Sequence, residues 1–463
     1  MEPFLYQYQR IHPMNWVYLS SLLTIALYFK FSRVWSVRNI DILGLLLFAP
    51  GLVLYEYGQT HPEQIAASYT GYIWLFTVGG IFLIRLLLDS VMVRRPLLEP
   101  NLSVGGMTFL GVSLLLFLLT NVANSTPEDL DTGFVEGAVA GAETADPGPD
   151  EPSREDSAQS WQQRSGPMYP LLDALPAIPT QQFFEKPADS RQEHDEAMSD
   201  PQRRAAAKTI AILSHLAVVA GLMFIGYRHF DNAKTGIAAS VLYLLLPYTA
   251  LMTGHVEHVL PAALLVWAIA MYRQPMISGM FMGLSIGVIY YPVFLLPLWV
   301  SFYWRRGLLR FCIGVLVTVS ILAGILVIRY YEDWSLLGVG LRQMFGLAAP
   351  ELINVEGFWA MPGIEPIWRV PVMALIIVLG GSFALWPAQK NLGTLMSCTA
   401  AMMLGMQFWH AHGGGLFMAW YLPILLLVTF RPNLEDRVAL SVLTQGRRRR
   451  GQSIKSPSTD QAA

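Results

Sequence analysis

The sequence predicts an all-α protein, a polytopic transmembrane helical bundle. Three observations carry that reading. The chain of 463 residues is 54% hydrophobic and only 14% charged, well below the quarter usual for soluble domains. Its apolar residues, with mean hydropathy +0.43, gather into separated runs of roughly 17–25 residues, the length that crosses a bilayer as a helix. Most arginine and lysine falls in alternate connections between those runs, as the positive-inside rule asks of a single topology. A membrane β-barrel would show short alternating segments instead.

The spans follow in order. The N-terminus lacks the basic region and cleavage site of a signal peptide, so the first span, 15–31, is expected to stay. Lys30, Arg33 and Arg38 place its end in the cytoplasm. Spans 40–57 and 72–93 go out and back, returning to Arg94 and Arg95, and span 104–123 leads out again. Residues 124–202 then carry 17 Asp/Glu against 4 Lys/Arg. A stretch this polar buries too little apolar area to offset its ordering entropy, so 124–207 is expected to be a disordered, acidic, non-cytoplasmic loop. Spans 208–227, 235–253 and 258–272 follow, with Arg228, Lys234 and Arg273 inside. Pro292 and Pro297 interrupt the helical ladder, so 277–303 divides at Tyr290-Tyr291 into two short spans that return to Arg305 and Arg306. Span 308–329 reaches an outer loop, 330–366, rich in carboxylates and tryptophan. Spans 367–386, 394–411 and 414–430, with Lys390 inside, complete thirteen crossings. Four regions result: an N-terminal membrane segment 1–123, the acidic loop 124–207, a C-terminal membrane region 208–432, and a basic cytoplasmic tail 433–463 holding Arg447 to Arg450. Cys312 and Cys398 lie within spans and read as packing residues, with no disulfide framework.

This topology gathers four polar groups on the outer side: Glu56 with His61 and Glu63; His255-Val256-Glu257-His258; Glu332-Asp333 in the long loop; and His410-Ala411-His412 before three glycines. Ionisable residues at membrane depth are costly and mark function. A carboxylate near that surface suits a general base or a divalent ion held against phosphate, which makes Glu257, Glu56, Glu332 and Asp333 the catalytic candidates. His255 and His258 share a helical face. With His410 and His412 they form a possible set of imidazole ligands for zinc or copper. Solvated helix-end histidines are the plainer alternative.

Gly254 to Trp267, with its His-Val-Glu-His turn, is followed by Tyr272-Arg273-Gln274-Pro275, a glycine-rich helix from Ser278 to Gly287, Tyr290-Tyr291-Pro292, and a proline-containing helix ending in Arg305-Arg306. This succession resembles the middle of polyprenol-phosphate-dependent membrane glycosyltransferases of the GT-C type, especially the mannosyltransferase-like family 87. The resemblance covers about 55 residues and extends loosely to Trp420-Tyr421-Leu422-Pro423. Tyr290-Tyr291 stands where the family has lysine before the central proline. The acidic residue expected in the first outer loop has only Glu56 and Glu63 as its nearest counterparts. The resemblance implies a GT-C-like fold in the plasma (inner) membrane. It implies a sugar taken from a polyprenyl-phosphate donor and passed with inversion to an acceptor on the outer face. It also implies substrate contacts from His255, His258, Tyr290, Tyr291, Arg342 and Arg369, with a divalent metal ion as a possible cofactor. Lipids are the other expected partners, and nucleic acid is not. A transporter, a metal-binding membrane protein and a non-catalytic scaffold are the competing classes.

Overall fold

The structure, a computed structural model, describes residues 13–91, 98–124, 194–304, 307–329, 355–388 and 390–432, with isolated positions between 331 and 352. Among these residues there are fourteen α-helices and short 3-10 turns, and no strand. In chain order the helices are α1 Pro13–Tyr28, α2 Val37–Thr60, α3 Ile65–Leu87, α4 Val104–Ala123, α5 His194–Arg228, α6 Ala233–Leu245 and α7 Pro247–Leu251. They continue with α8 Val256–Ala270, α9 Pro275–Val288, α10 Leu296–Tyr303, α11 Leu308–Arg329, α12 Arg369–Ser382, α13 Leu392–Met406 and α14 Leu422–Phe430. Five stretches are long and apolar enough to cross a membrane: Val37–Thr60, Ile65–Leu87, Val104–Ala123, Ala207–Arg228 and Leu308–Ile328. The molecule is a multi-pass helical membrane protein.

Each expected span contains helix, and the departures have local causes. The sixth breaks at Leu246, whose extended backbone precedes Pro247. Proline cannot donate the next ladder bond and pushes its predecessor out of the helical region. The last span begins at Leu422, because Gly413 and Gly415 adopt positive φ of 61° and 93° and turn the chain. Residues 194–207, placed by sequence in the unstructured loop, are helical in α5. That segment holds four Ala and two Arg, strong helix formers, and continues a helix already nucleated in the apolar part. The rest of the acidic loop, 125–193, lies outside the described residues, as does the basic tail.

At the end where Lys30, Arg38, Arg228 and Lys390 lie, α2, α4, α6 and α13 begin with Ser36, Ser103, Asn232 and Asn391. Each accepts a backbone N–H with its side chain, at 3.3, 3.2, 3.2 and 2.8 Å. At the opposite end, where the histidines lie, α3, α8, α12 and α14 begin without a side-chain cap.

Glycine lets α9 and α11 touch. A Cβ on Gly314 would fall on the Met276 carbonyl, and one on Gly279 would fall on that of Phe311. Gly283 faces Val315 O at 3.1 Å in the same sense. Small residues four apart are the usual route to close backbone approach in lipid. Gly314→Ala is expected to lower stability by about 1–3 kcal/mol through overpacking. Gly324 in the same helix has nothing within 4 Å, so Gly324→Ala should leave the melting temperature unchanged or slightly raised. Thermal unfolding of the detergent-solubilised variants measures both.

The basic end is closed by a buried ion network. Arg85 of α3 donates to Asp41 of α2 at 2.8 and 2.7 Å, and to Asp89 at 3.0 Å. Arg431, just past α14, donates to Asp89 at 2.6 Å. Arg38 donates to the carbonyls of Thr429 and Arg431. Arg85 and Asp89 stand four residues apart, the spacing of a local pair. The fold extends it into a clasp that fastens the last helix to the first hairpin.

Candidate functional site

Four connections converge at the end opposite the clasp. They are the α7–α8 turn with His255, the α13–α14 connection with His410 and His412, the stretch from Glu356 to Met361, and the facing turns of α2 and α3 at Tyr55 and Tyr72. The contacts that join them are specific. Trp420 Nε1 donates to Glu257 O at 3.0 Å, Glu356 N donates to Ala411 O at 2.8 Å, and Trp359 Nε1 donates to Phe408 O at 3.2 Å. The rings of Tyr55 and Tyr72 meet edge to face at 5.3 Å.

The α13–α14 connection is shaped from two sides. Gln407 Oε1 accepts N–H groups from Gly415 and Phe417 at 3.1 and 3.2 Å. Arg369, only 3% exposed, donates from Nε and Nη2 to Trp409 O at 3.1 and 3.0 Å. Positive φ at Gly413 and Gly415 completes a turn that a side-chain-bearing residue would strain. The result presents His410 and His412 to one another, with ring centroids 6.4 Å apart.

Two carboxylate–imidazole pairs stand at this end. Glu257 Oε1 lies 3.5 Å from His258 Nε2, and Glu356 Oε2 lies 3.7 Å from His412 Nδ1. Phe417 lies between His258 and His410, its ring 4.4 Å from the first and 4.6 Å from the second. Tyr291, Trp409 and Trp420 form the floor: Tyr291 lies 5.3 Å from the His410 ring and 5.2 Å from Trp420, and Tyr290 lies 4.1 Å from Tyr291. Tyr248 OH bonds to His258 Nδ1 at 2.7 Å, and His255 stacks 5.0 Å from His258. Among the described residues, one set of metal-ligating atoms lies mutually within 4.8 Å, that of His255, Glu257 and His258. His410 and His412 lie outside it, beyond the Phe417 ring.

Burial pushes the His410 imidazole well below its ordinary value, and His412, Arg369 and His258 lower it further. His229, in the turn at the basic end, is lowered mainly by burial as well. A folded-state value below the unfolded one means that the unfolded chain takes up protons first. Their contribution to stability is therefore complete above neutral pH and is lost as pH falls from about 6.5. The melting temperature should drop between pH 7.5 and 5.5, and His410→Gln should flatten part of that slope. A melting temperature that rises on acidification would contradict the assignment.

Of the residues singled out by sequence, His255, Glu257, His258, Tyr290, Tyr291, Arg369, His410 and His412 are brought together. Glu56 lies in the last turns of α2, next to Tyr55 at the rim. His61 and Glu63 are exposed on the α2–α3 connection, where His61 Nδ1 bonds to Tyr57 O at 3.1 Å. Glu332, Asp333 and Arg342 lie outside the described residues. Sequence reasoning did not single out Glu356, Tyr72, Tyr248 or Phe417. Phe417, two residues past the three glycines, had a signal in that turn. Glu356 had none beyond its place in an acidic loop.

Fold and sequence together define a multi-span helical membrane protein with a cluster of histidines, carboxylates and aromatic rings at one end. No protein-family model, curated protein or solved structure matches the chain.

Proposed function

We propose that the protein is a membrane glycosyltransferase that moves a sugar, mannose foremost, from a polyprenyl-phosphate donor to an acceptor hydroxyl at the non-cytoplasmic face. The observation that carries this reading is the pairing of two carboxylate–imidazole couples, Glu257–His258 and Glu356–His412, over an aromatic floor. Sugar transfer with inversion needs one carboxylate to take the acceptor proton while the oxygen attacks the anomeric carbon and the carbon–phosphate oxygen bond breaks. It also needs positive charge or N–H donors at the departing phosphate. Arg369 is buried with its guanidinium turned to Trp409 O, so that charge has to come from another part of the site. Tyr291, Trp409 and Trp420 are buried beneath the histidines and hold the His410 ring in place. The successive short helices around Tyr290-Tyr291-Pro292 add the likeness to GT-C enzymes noted above.

The test is transfer by purified full-length protein in nanodiscs from polyprenyl-phosphate mannose, glucose and galactose to short glycan acceptors, read by mass spectrometry. Turnover with at least one donor is expected. Absence of turnover with all three, in protein that melts cooperatively, would overturn the reading.

A further inference from the structure

A carboxylate beside a departing phosphate repels it unless a cation stands between them. Glu257 is in that position if the cluster takes a sugar phosphate. The turn that holds Glu257 has the makings of a remedy. His255, Glu257 and His258 offer ligand atoms mutually within 4.8 Å. A tetrahedral ion about 2.0–2.2 Å from each would draw these atoms to about 3.5 Å from one another, a closure that side-chain rotation supplies.

The surroundings favour ligation. Tyr248 OH lies 2.7 Å from His258 Nδ1. In the tautomer that donates Nδ1–H to the tyrosine oxygen, the Nε2 lone pair faces Glu257 Oε1 at 3.5 Å. Ligating histidines are commonly held in this way through their second nitrogen. The Trp420 indole fixes the backbone of the central ligand at Glu257 O. The Glu257 side chain keeps 30% of its surface exposed and that of His258 5%, so the set is walled by protein on one side and open to water on the other. Two imidazoles and one carboxylate with an open fourth position is the donor set of catalytic rather than structural zinc.

We propose that His255, Glu257 and His258 bind one zinc-type divalent cation whose open position accepts a phosphate oxygen. The cation site stands on the geometry alone. Its phosphate ligand rests on the glycosyltransferase reading. With Glu257 occupied as a ligand, removal of the acceptor proton falls to Glu356, paired with His412.

The experiment uses full-length protein carrying a histidine-free tag, stripped with chelator and placed in nanodiscs. Co2+ is titrated in as an optical probe and then displaced with Zn2+, and bound metal is counted by mass spectrometry. One Zn2+ per chain is expected, with Co2+ giving the intense visible bands of a four-coordinate site. His255→Gln, at a partly exposed position, should abolish stoichiometric binding without lowering the melting temperature. Tyr248→Phe should weaken binding about tenfold, and His410→Gln should leave it unchanged. No bound metal, or binding that survives His255→Gln, would overturn the proposal. The wild-type Co2+ spectrum decides even if a variant fails to fold. Adding undecaprenyl phosphate should perturb the Co2+ bands, and unchanged bands would remove the phosphate ligand. Metal bound without sugar transfer would leave the site standing and the transferase reading refuted. Transfer undiminished by chelation would leave the transferase reading standing and remove the cation from its chemistry.

Discussion

Asp89→Ala is expected to cost about 3–5 kcal/mol, the largest stability loss of any single substitution considered. The Asp89 carboxylate is fully buried and takes Arg85 at 3.0 Å and Arg431 at 2.6 Å. Removing it leaves guanidinium charge in a low-dielectric setting, and that uncompensated charge, rather than the lost attraction, sets the cost. Arg85 retains Asp41 at 2.7 Å. The residual penalty therefore concentrates on Arg431, whose Nε already lacks a partner. Arg431→Leu added to Asp89→Ala should recover part of the loss, because it removes the stranded charge. A denaturant titration of the solubilised protein measures both variants. Asp89→Ala within about 0.5 kcal/mol of the parent would show that the clasp does not hold the last helix.

The second large effect is on activity. Glu356→Gln should lower the transfer rate by about 10²–10⁴-fold with little change in KM, as expected for loss of a general base. Its side chain is 53% exposed, so the melting temperature should hold. Glu257→Gln should cause a comparable loss of rate together with loss of bound metal, while Glu63→Gln on the exposed α2–α3 connection should be neutral. Equal activity in Glu356→Gln and the parent would remove Glu356 from the chemistry.

The architecture was legible because lipid imposes a simple code. Length and apolarity define spans, and the placement of Arg and Lys orders them. Span 104–123 matched α4 residue for residue, since Ser103 caps it and polar residues flank it. The breaks at Leu246 and at Gly413 were less legible. Pro247 and the three glycines were visible, but hydropathy averages over both. Charge networks were least legible. Arg85–Asp89 spacing was evident within one helix, whereas Asp41 and Arg431 join it only through the fold. At the site, the His-Glu-His turn could be picked out because ionisable residues in apolar surroundings are rare. Glu356 could not, since a carboxylate in an acidic loop is common, and only the hydrogen bond from its N–H to Ala411 O brings it to His412.

The sidedness of the cluster is the premise on which the rest stands. The direct test is cysteine labelling with a membrane-impermeant maleimide in intact cells, in a background with Cys312 and Cys398 replaced. Glu356→Cys should label from outside without permeabilisation, and Arg273→Cys only after it. Glu356→Cys protected in intact cells and labelled only after permeabilisation would place the carboxylate–imidazole cluster in the cytoplasm and contradict the account.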